Sequence, residues 1–455
     1  MAEPAKIHNA QCSMLNAQHI LIYTPHITER IAFVIDVIFK EHLQIPFYLT
    51  DSINEFQQAT VKIVYAAQPV CSENDVFIWQ HPLLLETDVR KQIIDLNQFE
   101  EEPVFFQSPH NQSILPFDIF ALSFYLLTRY EEYLPHRKDD YGRFPAAESI
   151  ACKSGFLQKP LVDILVLKFA RKLQSVFPEL TCELPEPTYI ATYDIDHAYA
   201  YKYKGFVRTA GGFVKQLLRF DFKEIKLRIA VLKGDQPDPF DTYQYIETIR
   251  QKYNLNSYYF ILFSGISPYD RGLNPKNKQF QKIIRQLQTT GKIGCHPSFT
   301  ASLSQSKMTH EINSLAELTG EKIRISRSHY LRLSFPVTYQ QYISNGIEMD
   351  FTLGYPELPG FRASTCKAFD FFDLSVNKQT SLKLLPLIYM DATFINYMKL
   401  SPDQAFVWIK YMINMVKFVK GTFVSLWHNE NFEKNGENWK KLYEQSLDHF
   451  LNFQR

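Results

Sequence analysis

A chain of 455 residues with 45% apolar and 15% aromatic content is long enough for two domains with sizeable cores, and this composition excludes a largely disordered or collagen-like polymer. Its 49 basic and 48 acidic side chains leave a net charge of +1, which removes the electrostatic case for a nucleic-acid partner. No apolar run approaches a membrane span, the N-terminal MAEPAKIHNAQCSMLNAQH has neither the basic start nor the apolar core of a secretory signal, and the expected address is cytoplasmic.

In chain order, the first part reads as a small α/β unit. ILIYTP (20–25) is strand-like, a helical pattern runs from Ile27 to His42, and FYLT, VKIVYA, VFIW and PVFF follow as strands. A long apolar helix is expected from Pro116 to about Leu134 and another from Pro160 to Val176. Between them, RYEEYLPHRKDDYGRFPAAES is dense in charge. Glu131 and Glu132 diverge by about a hundred degrees on a helix, so ion pairing with Arg129, Arg137 or Arg143 is expected of them rather than joint chemistry. Prolines 178, 185 and 187 then mark a boundary, giving domains 1–185 and 186–455.

Beyond the boundary, apolar strand runs alternate with amphipathic helical patterns, the order of parallel β/α units. The strands are TYIATY (188–193), SYYFILF (257–263), KIGC (292–295), IRIS (323–326), IEMDF (347–351), LLPLIYM (384–390) and TFVSLW (422–427). Seven such strands suggest a barrel. Asp241 with Gln244 has capping-box form, and Ser401-Pro402 is an N-cap and N1 pair. The stretch 202–233 carries nine Lys and Arg residues against Asp221 and Glu224, either as a solvated helical face or as a peripheral contact with an anionic glycan or membrane surface. Cys12, Cys71, Cys152, Cys182, Cys295 and Cys366 lack metal-ribbon or redox spacing and read as free thiols, with Cys295 a small buried residue at a strand end.

The chemistry gathers where the strands stop. Asp194 and Asp196 lie two residues apart, on one face of a strand end. Ser264, His296, Arg327 with His329, Asp350, Asp391 and His428 follow the other strands, and the C-terminal ends of parallel barrel strands lie together. Singly each residue reads as a turn cap, a satisfied histidine or an ion-pair partner; jointly they point to an active site. In metal-assisted hydrolysis of an amide or ester a divalent ion polarises the carbonyl and activates water, and Asp196, His296 and one further ligand suit zinc or a similar ion. Asp194 is then placed as general base, kept charged by Arg327, and His428 as the acid for the leaving group.

TYDID, GCHPSFTAS, SRSHYLRL and SLWHN resemble, in order, the motifs of the NodB-type polysaccharide deacetylases (carbohydrate esterase family 4), over roughly residues 186–455. The resemblance implies a deformed (β/α)7 barrel preceded by a smaller α/β domain. It also implies Asp194 as base, Asp196 and His296 as metal ligands, Arg327 as the residue orienting the base and His428 as acid. TRYEEYLPHRKDDYGRF, GFLQKPLVD, MDFTLGYPELPGFRASTC and SLWHN are similar to a bacterial group within it that has an uncharacterised N-terminal domain. The family's second histidine is replaced here by Thr300, and His329, two residues beyond Arg327, is the candidate third ligand, with His197 next.

In the loop 354–366, Arg362 could hold a sugar carboxylate or phosphate while Tyr355 or Phe361 stacks on a ring; a structural crossover is the alternative. Asp350 and Asp391 could bind substrate, steady catalytic groups or cap turns. The expected activity is metal-dependent removal of an N-acetyl group from an amino sugar of a surface polysaccharide or its precursor. Alternatives are a catalytically degenerate glycan-binding or assembly protein, and an amidohydrolase acting on a small linear amide.

Overall fold

A computed structural model describes residues 19–70, 75–182, 184–434 and 436–451. Cys12 and Cys71 lie outside these residues, and the four described cysteines form no disulfide with one another. The chain divides into two compact units: Met1–Tyr130, Leu161–Pro185 and Phe372–Gln379 form the first, and Glu131–Pro160, Glu186–Phe371 and Thr380–Arg455 the second.

The first unit is built on a four-stranded parallel sheet of β1 (Ile20–Tyr23), β2 (Phe47–Thr50), β3 (Lys62–Ala66) and β4 (Val76–Trp79), in the order β2-β1-β3-β4. The Thr28 hydroxyl caps α1 (Glu29–Asp36), which passes directly into a π-helical turn at Val37–His42, and α2 (Ile53–Gln58) starts at the Ser52 cap. PVFF differs from expectation: only its first two residues are extended, in β6 (Glu102–Val104). That strand pairs antiparallel with β5 (Asn97–Phe99), outside the main sheet.

The helix expected from Pro116 to Leu134 is shorter. Its N-terminus is set by Asp118, whose carboxylate accepts from the amides of Phe120 and Ala121, so that α3 spans Ile119–Leu127. Arg129 adopts positive φ, which ends the helix, and a 3-10 turn covers Tyr130–Tyr133. The chain then contributes α4 (Ile150–Lys153) to the second unit and returns for α5 (Leu161–Val176).

A nine-stranded sheet runs in the order β12-β13-β11-β10-β9-β8-β7-β15-β14, with all but the end of β12 and the start of β13 assigned to the second unit. Its strands are β7 (Thr188–Ile195), β8 (Asn256–Ile261), β9 (Lys292–Cys295), β10 (Ile325–Ser326), β11 (Met349–Asp350), β12 (Phe369–Asp373), β13 (Lys378–Leu384), β14 (Tyr389–Met390) and β15 (Thr422–His428). Every pairing from β13 to β14 is parallel. The β12–β13 hairpin was not among the seven expected strands, and LLPLIYM divides around Pro386, which has no amide proton to continue a ladder.

Connecting the strands are α6 (Gly205–Leu218), α7 (Phe222–Lys233), α8 (Tyr243–Tyr253), α9 (Lys278–Gln288), α10 (Gln305–Thr319), α11 (Val337–Ser344) and α12 (Pro402–Phe418), and α13 (Asn431–Lys434) and α14 (Glu437–Leu451) follow the last strand. The Ser401 capping box with Gln404 is formed, with Pro402 in the first turn, a cap worth about 1 kcal/mol. The one expected at Asp241 is not. The N-cap of α8 is Thr242, and its hydroxyl is engaged by the Asn429 carbonyl at 2.8 Å. Among the described residues, no helix is long and apolar enough to cross a membrane.

Candidate metal centre

Strand register explains why chemistry-bearing residues meet. Parallel pairing sets Ile195, Ile261, Cys295, Ser326, Asp350 and Leu384 in one row across the sheet. Asp196, His296 and Arg327 therefore leave three strands at the same level, one residue later. In the preceding row, β15 places His428 opposite Asp194. Beside them, Cys295 is buried and its thiol is pushed well up by desolvation, as befits a packing residue.

Asp196 lies between two imidazoles. Its Oδ1 is 3.2 Å from His296 Nε2 and its Oδ2 3.3 Å from His329 Nε2. The far nitrogen of each ring is engaged: His296 Nδ1 donates to the Arg327 carbonyl oxygen at 2.6 Å, and His329 Nδ1 donates to Asp270 Oδ1 at 2.8 Å. Each Nδ1 thus carries the proton, which turns the lone pair of Nε2 toward a carboxylate oxygen. Such an arrangement is repulsive unless a proton or a cation sits between the groups. Asp196 Oδ1 is buried and accepts no hydrogen bond.

Asp196, His296 and His329 thus form a cluster able to hold a divalent ion. Ligand atoms about 2.0–2.2 Å from a tetrahedral ion stand roughly 3.4 Å apart, close to the two separations seen. Burial raises the Asp196 carboxyl, but the two imidazoles outweigh it and hold it well below the usual range. His329, which burial alone would lower, is carried up to about 9 by Asp196 and Asp270.

Flanking the cluster are the two other strand-end groups. The buried guanidinium of Arg327 donates from Nη1 to Asp194 Oδ1 at 2.8 Å and from Nε to the Phe351 carbonyl, and lies 4.3 Å from the centre of the Phe260 ring. Its Nη2 has no hydrogen-bond partner. Gly294 gives that ring its room, since a Cβ there would come within 2.7 Å of it. Asp194 Oδ2 is 3.6 Å from His296 Nε2. On the other side, His428 Nε2 is 3.7 Å from Asp196 Oδ2, and its Nδ1 donates to Asp391 Oδ1 at 2.6 Å. Burial would lower the His428 pKa, yet Asp391, Asp196 and Asp194 raise it to about 10.

Asp391 holds His428 from two sides, since its Oδ2 also accepts from the His428 amide at 2.7 Å and from Asn431 Nδ2 at 2.9 Å. Asp350 lies in the strand row and is fully buried, on the sheet face opposite Phe351. It accepts from Ser326 Oγ and from the amide and hydroxyl of Thr352, and burial lifts its pKa to about 6. Arg362 and Tyr355 are not brought to the cluster. Both are buried; Arg362 forms a bidentate pair with Glu132 at 2.9 and 2.6 Å, and its guanidinium covers the Tyr355 ring at 4.9 Å.

Of the partners expected for the two glutamates, Arg143 is engaged elsewhere. Glu132 takes Arg362, Glu131 Oε2 accepts from the Ile150 amide, and Arg143 pairs with Asp139. His197 is drawn to Glu430 at 2.7 Å. Thr300 contacts Ser298 Oγ at 3.3 Å and lines, with Ser264 and Glu311, a cavity of about 920 Å³ to which none of the three cluster residues contributes.

Sequence reading missed Asp270. It sits in the loop SGISPYDRG between β8 and α9, steadied by Ser267 Oγ at 2.6 Å and the Phe299 amide at 2.9 Å. Its one sequence signal is an acidic residue in a turn-rich loop following a strand that itself supplies no ligand.

Residues 20–178 match a model of a family of unknown function, DUF7033. No curated protein matches the chain. Among solved structures, similarity is found to a protein from Mycobacterium smegmatis assigned as a polysaccharide deacetylase, at 12% identity over 58% of this chain and 85% of that one, with a TM-score of 0.37. A polysaccharide deacetylase from Bacillus cereus is 12% identical over 59% and 88%, with a TM-score of 0.30. A pseudoenzyme of the CE4 family from Bacillus anthracis is 10% identical over 59% and 67%, with a TM-score of 0.28.

Proposed function

We propose that the second unit is a metal-dependent hydrolase with a deformed (β/α)7 barrel, removing an N-acetyl group from an amino sugar of a surface polysaccharide or its precursor. The observation that carries this is the Asp196–His296–His329 cluster flanked on one side by Asp194 with Arg327 and on the other by His428 with Asp391. A divalent ion such as zinc, when bound there, supplies a Lewis acid and a water of lowered pKa. Asp194, oriented by Arg327, accepts a proton from the attacking water. His428, a cation in this setting, passes its Nε2 proton to the departing nitrogen, while Asp391 fixes the ring and its tautomer. The motif resemblance supports the acyl-sugar substrate, and a division at 185/186 belongs to the same reading. A cytoplasmic address belongs to this reading as well.

The test is metal content followed by acetate release. Full-length protein loaded with zinc should bind one equivalent and lose it in His329→Ala. Deacetylation of N-acetylated oligosaccharides or glycolipids should vanish in Asp194→Asn while the metal is retained. Failure to bind metal under any loading condition defeats the hydrolase reading, and acetate release that survives Asp194→Asn defeats the assignment of the base.

A further inference from the structure

The hairpin of α6 and α7 is built inside out. Between its two helices lies a guanidinium rather than an apolar core: buried Arg228 donates from Nε to Gln216 Oε1 at 2.9 Å and sits 4.6 Å from the Tyr201 ring and 5.4 Å from the Phe213 ring. Val231 and Leu227 pack on Ala200 and Tyr201, but nine other apolar residues point outward. Phe206, Val207, Val214, Leu217 and Leu218 recur at helical spacing on α6, Phe220 stands in the turn, and Phe222, Ile229 and Leu232 continue along α7; all are exposed. Phe206 is 88%, Val207 83%, Phe220 78% and Leu218 75% accessible. An amphipathic helix ordinarily buries such a stripe.

Interleaved with the stripe are Lys215, Arg219, Lys223, Lys226 and Lys233, all exposed, and none is ion-paired among the described residues. Over 202–233, nine basic residues face two acidic ones in a chain of net charge +1. Exposed aromatic and aliphatic side chains among unpaired cations complement a bilayer whose surface is anionic and whose interior is apolar. A second copy of the same face would set five cations against five.

The base of the hairpin is firm and close to the metal centre. Asp238 accepts from the amides of Ala200, Tyr201 and Lys202 at 2.7, 2.9 and 3.0 Å, only a few residues beyond Asp196. Arg208 donates to the carbonyls of Arg271 and Gly272, adjoining Asp270, which holds His329. We propose that the α6–α7 hairpin seats the second unit on an anionic membrane surface, with its exposed apolar stripe entering the interface and the flanking lysines and arginines meeting the headgroups. The metal-centre rim then lies beside the lipid. The docking stands on the hairpin alone and does not depend on the hydrolase reading.

Sedimentation of the full-length protein with sucrose-loaded vesicles tests this. At about 0.1 M salt the wild type should pellet with phosphatidylcholine vesicles containing about 30% phosphatidylglycerol, bind pure phosphatidylcholine at least about tenfold more weakly, and release as salt approaches about 0.5 M. Phe206→Ser/Leu218→Ser/Phe220→Ser should lose about tenfold or more in affinity, and Lys215→Glu/Lys223→Glu roughly fivefold per cation. These positions are exposed, and circular dichroism of the variants should match the wild type. His329→Ala should bind vesicles as the wild type does, so a failed hydrolase reading leaves this result standing. Wild type that ignores anionic vesicles, or binding indifferent to both hairpin variants, overturns the proposal. A dimer dissociated by the serine variant, in protein that binds no vesicle, also overturns it and gives the face to a second copy.

Discussion

His329 is where the residue scale is most instructive, because its ring is aimed by a residue from another loop. Asp270 holds Nδ1, and Ser267 and the Phe299 amide hold Asp270. Removing such an outer partner costs roughly 10–100-fold in metal affinity. Asp270→Ala should show that loss against a chromogenic chelator, and an unchanged affinity would remove Asp270 from the centre's support. Arg362 teaches a different lesson. Its charge is buried against Glu132, so Glu132→Ala should destabilise the protein by about 3–5 kcal/mol in urea melts, whereas replacing both partners with apolar residues should restore most of the loss. Asp194, Asp196, His296, Arg327 and His428 were legible in the sequence because each stands at or just past the end of a recognisable strand. The Glu132–Arg362 pair was not, since its partners lie 230 residues apart, and Asp270 was not because a turn-rich loop hides its one polar role among many.

Among the elements, ends were harder to read than centres. Periodicity located the long helix that became α3, but its stop depends on one backbone angle at Arg129, and the N-cap expected at Asp241 falls one residue later, at Thr242, whose hydroxyl donates to the Asn429 carbonyl. The short helical turn Pro82–Leu85 carries a testable consequence of the same kind. Its N-cap is His81, whose Nδ1 accepts from the Leu83 amide at 3.2 Å while the ring stacks on Phe106 at 4.1 Å. Burial lowers the His81 pKa to about 4, against a weaker opposite pull from Glu86. The folded chain therefore prefers the neutral ring. Stability from this group is fully present above about pH 6.5 and is lost as the pH falls through about 4. Urea midpoints should fall across that window, and His81→Asn, which keeps a capping acceptor that cannot titrate, should flatten the fall. Identical slopes in the two proteins would show that His81 is not the titrating group.

For the whole molecule, alternating strands and helices conveyed the α/β class and the long parallel ladder, since a strand buried on both faces leaves a plain apolar run. The β12–β13 hairpin escaped because its second strand, KQTSLKL, is largely polar, with its burial confined to Leu382 and Leu384. The ladder also has a consequence for how the protein assembles. The three cluster residues come from the loops after β7, β9 and β10, with β8 between the first two, so they meet only once four strands have found their register. An ion cannot gather them earlier, as it can when ligands lie close in sequence. Zinc should therefore leave the refolding rate followed by far-UV circular dichroism unchanged and should slow unfolding in proportion to occupancy. Faster refolding with zinc would mean that the ion draws the loops together before the sheet exists. On this view the metal is the last component to enter and the first whose loss releases the rim.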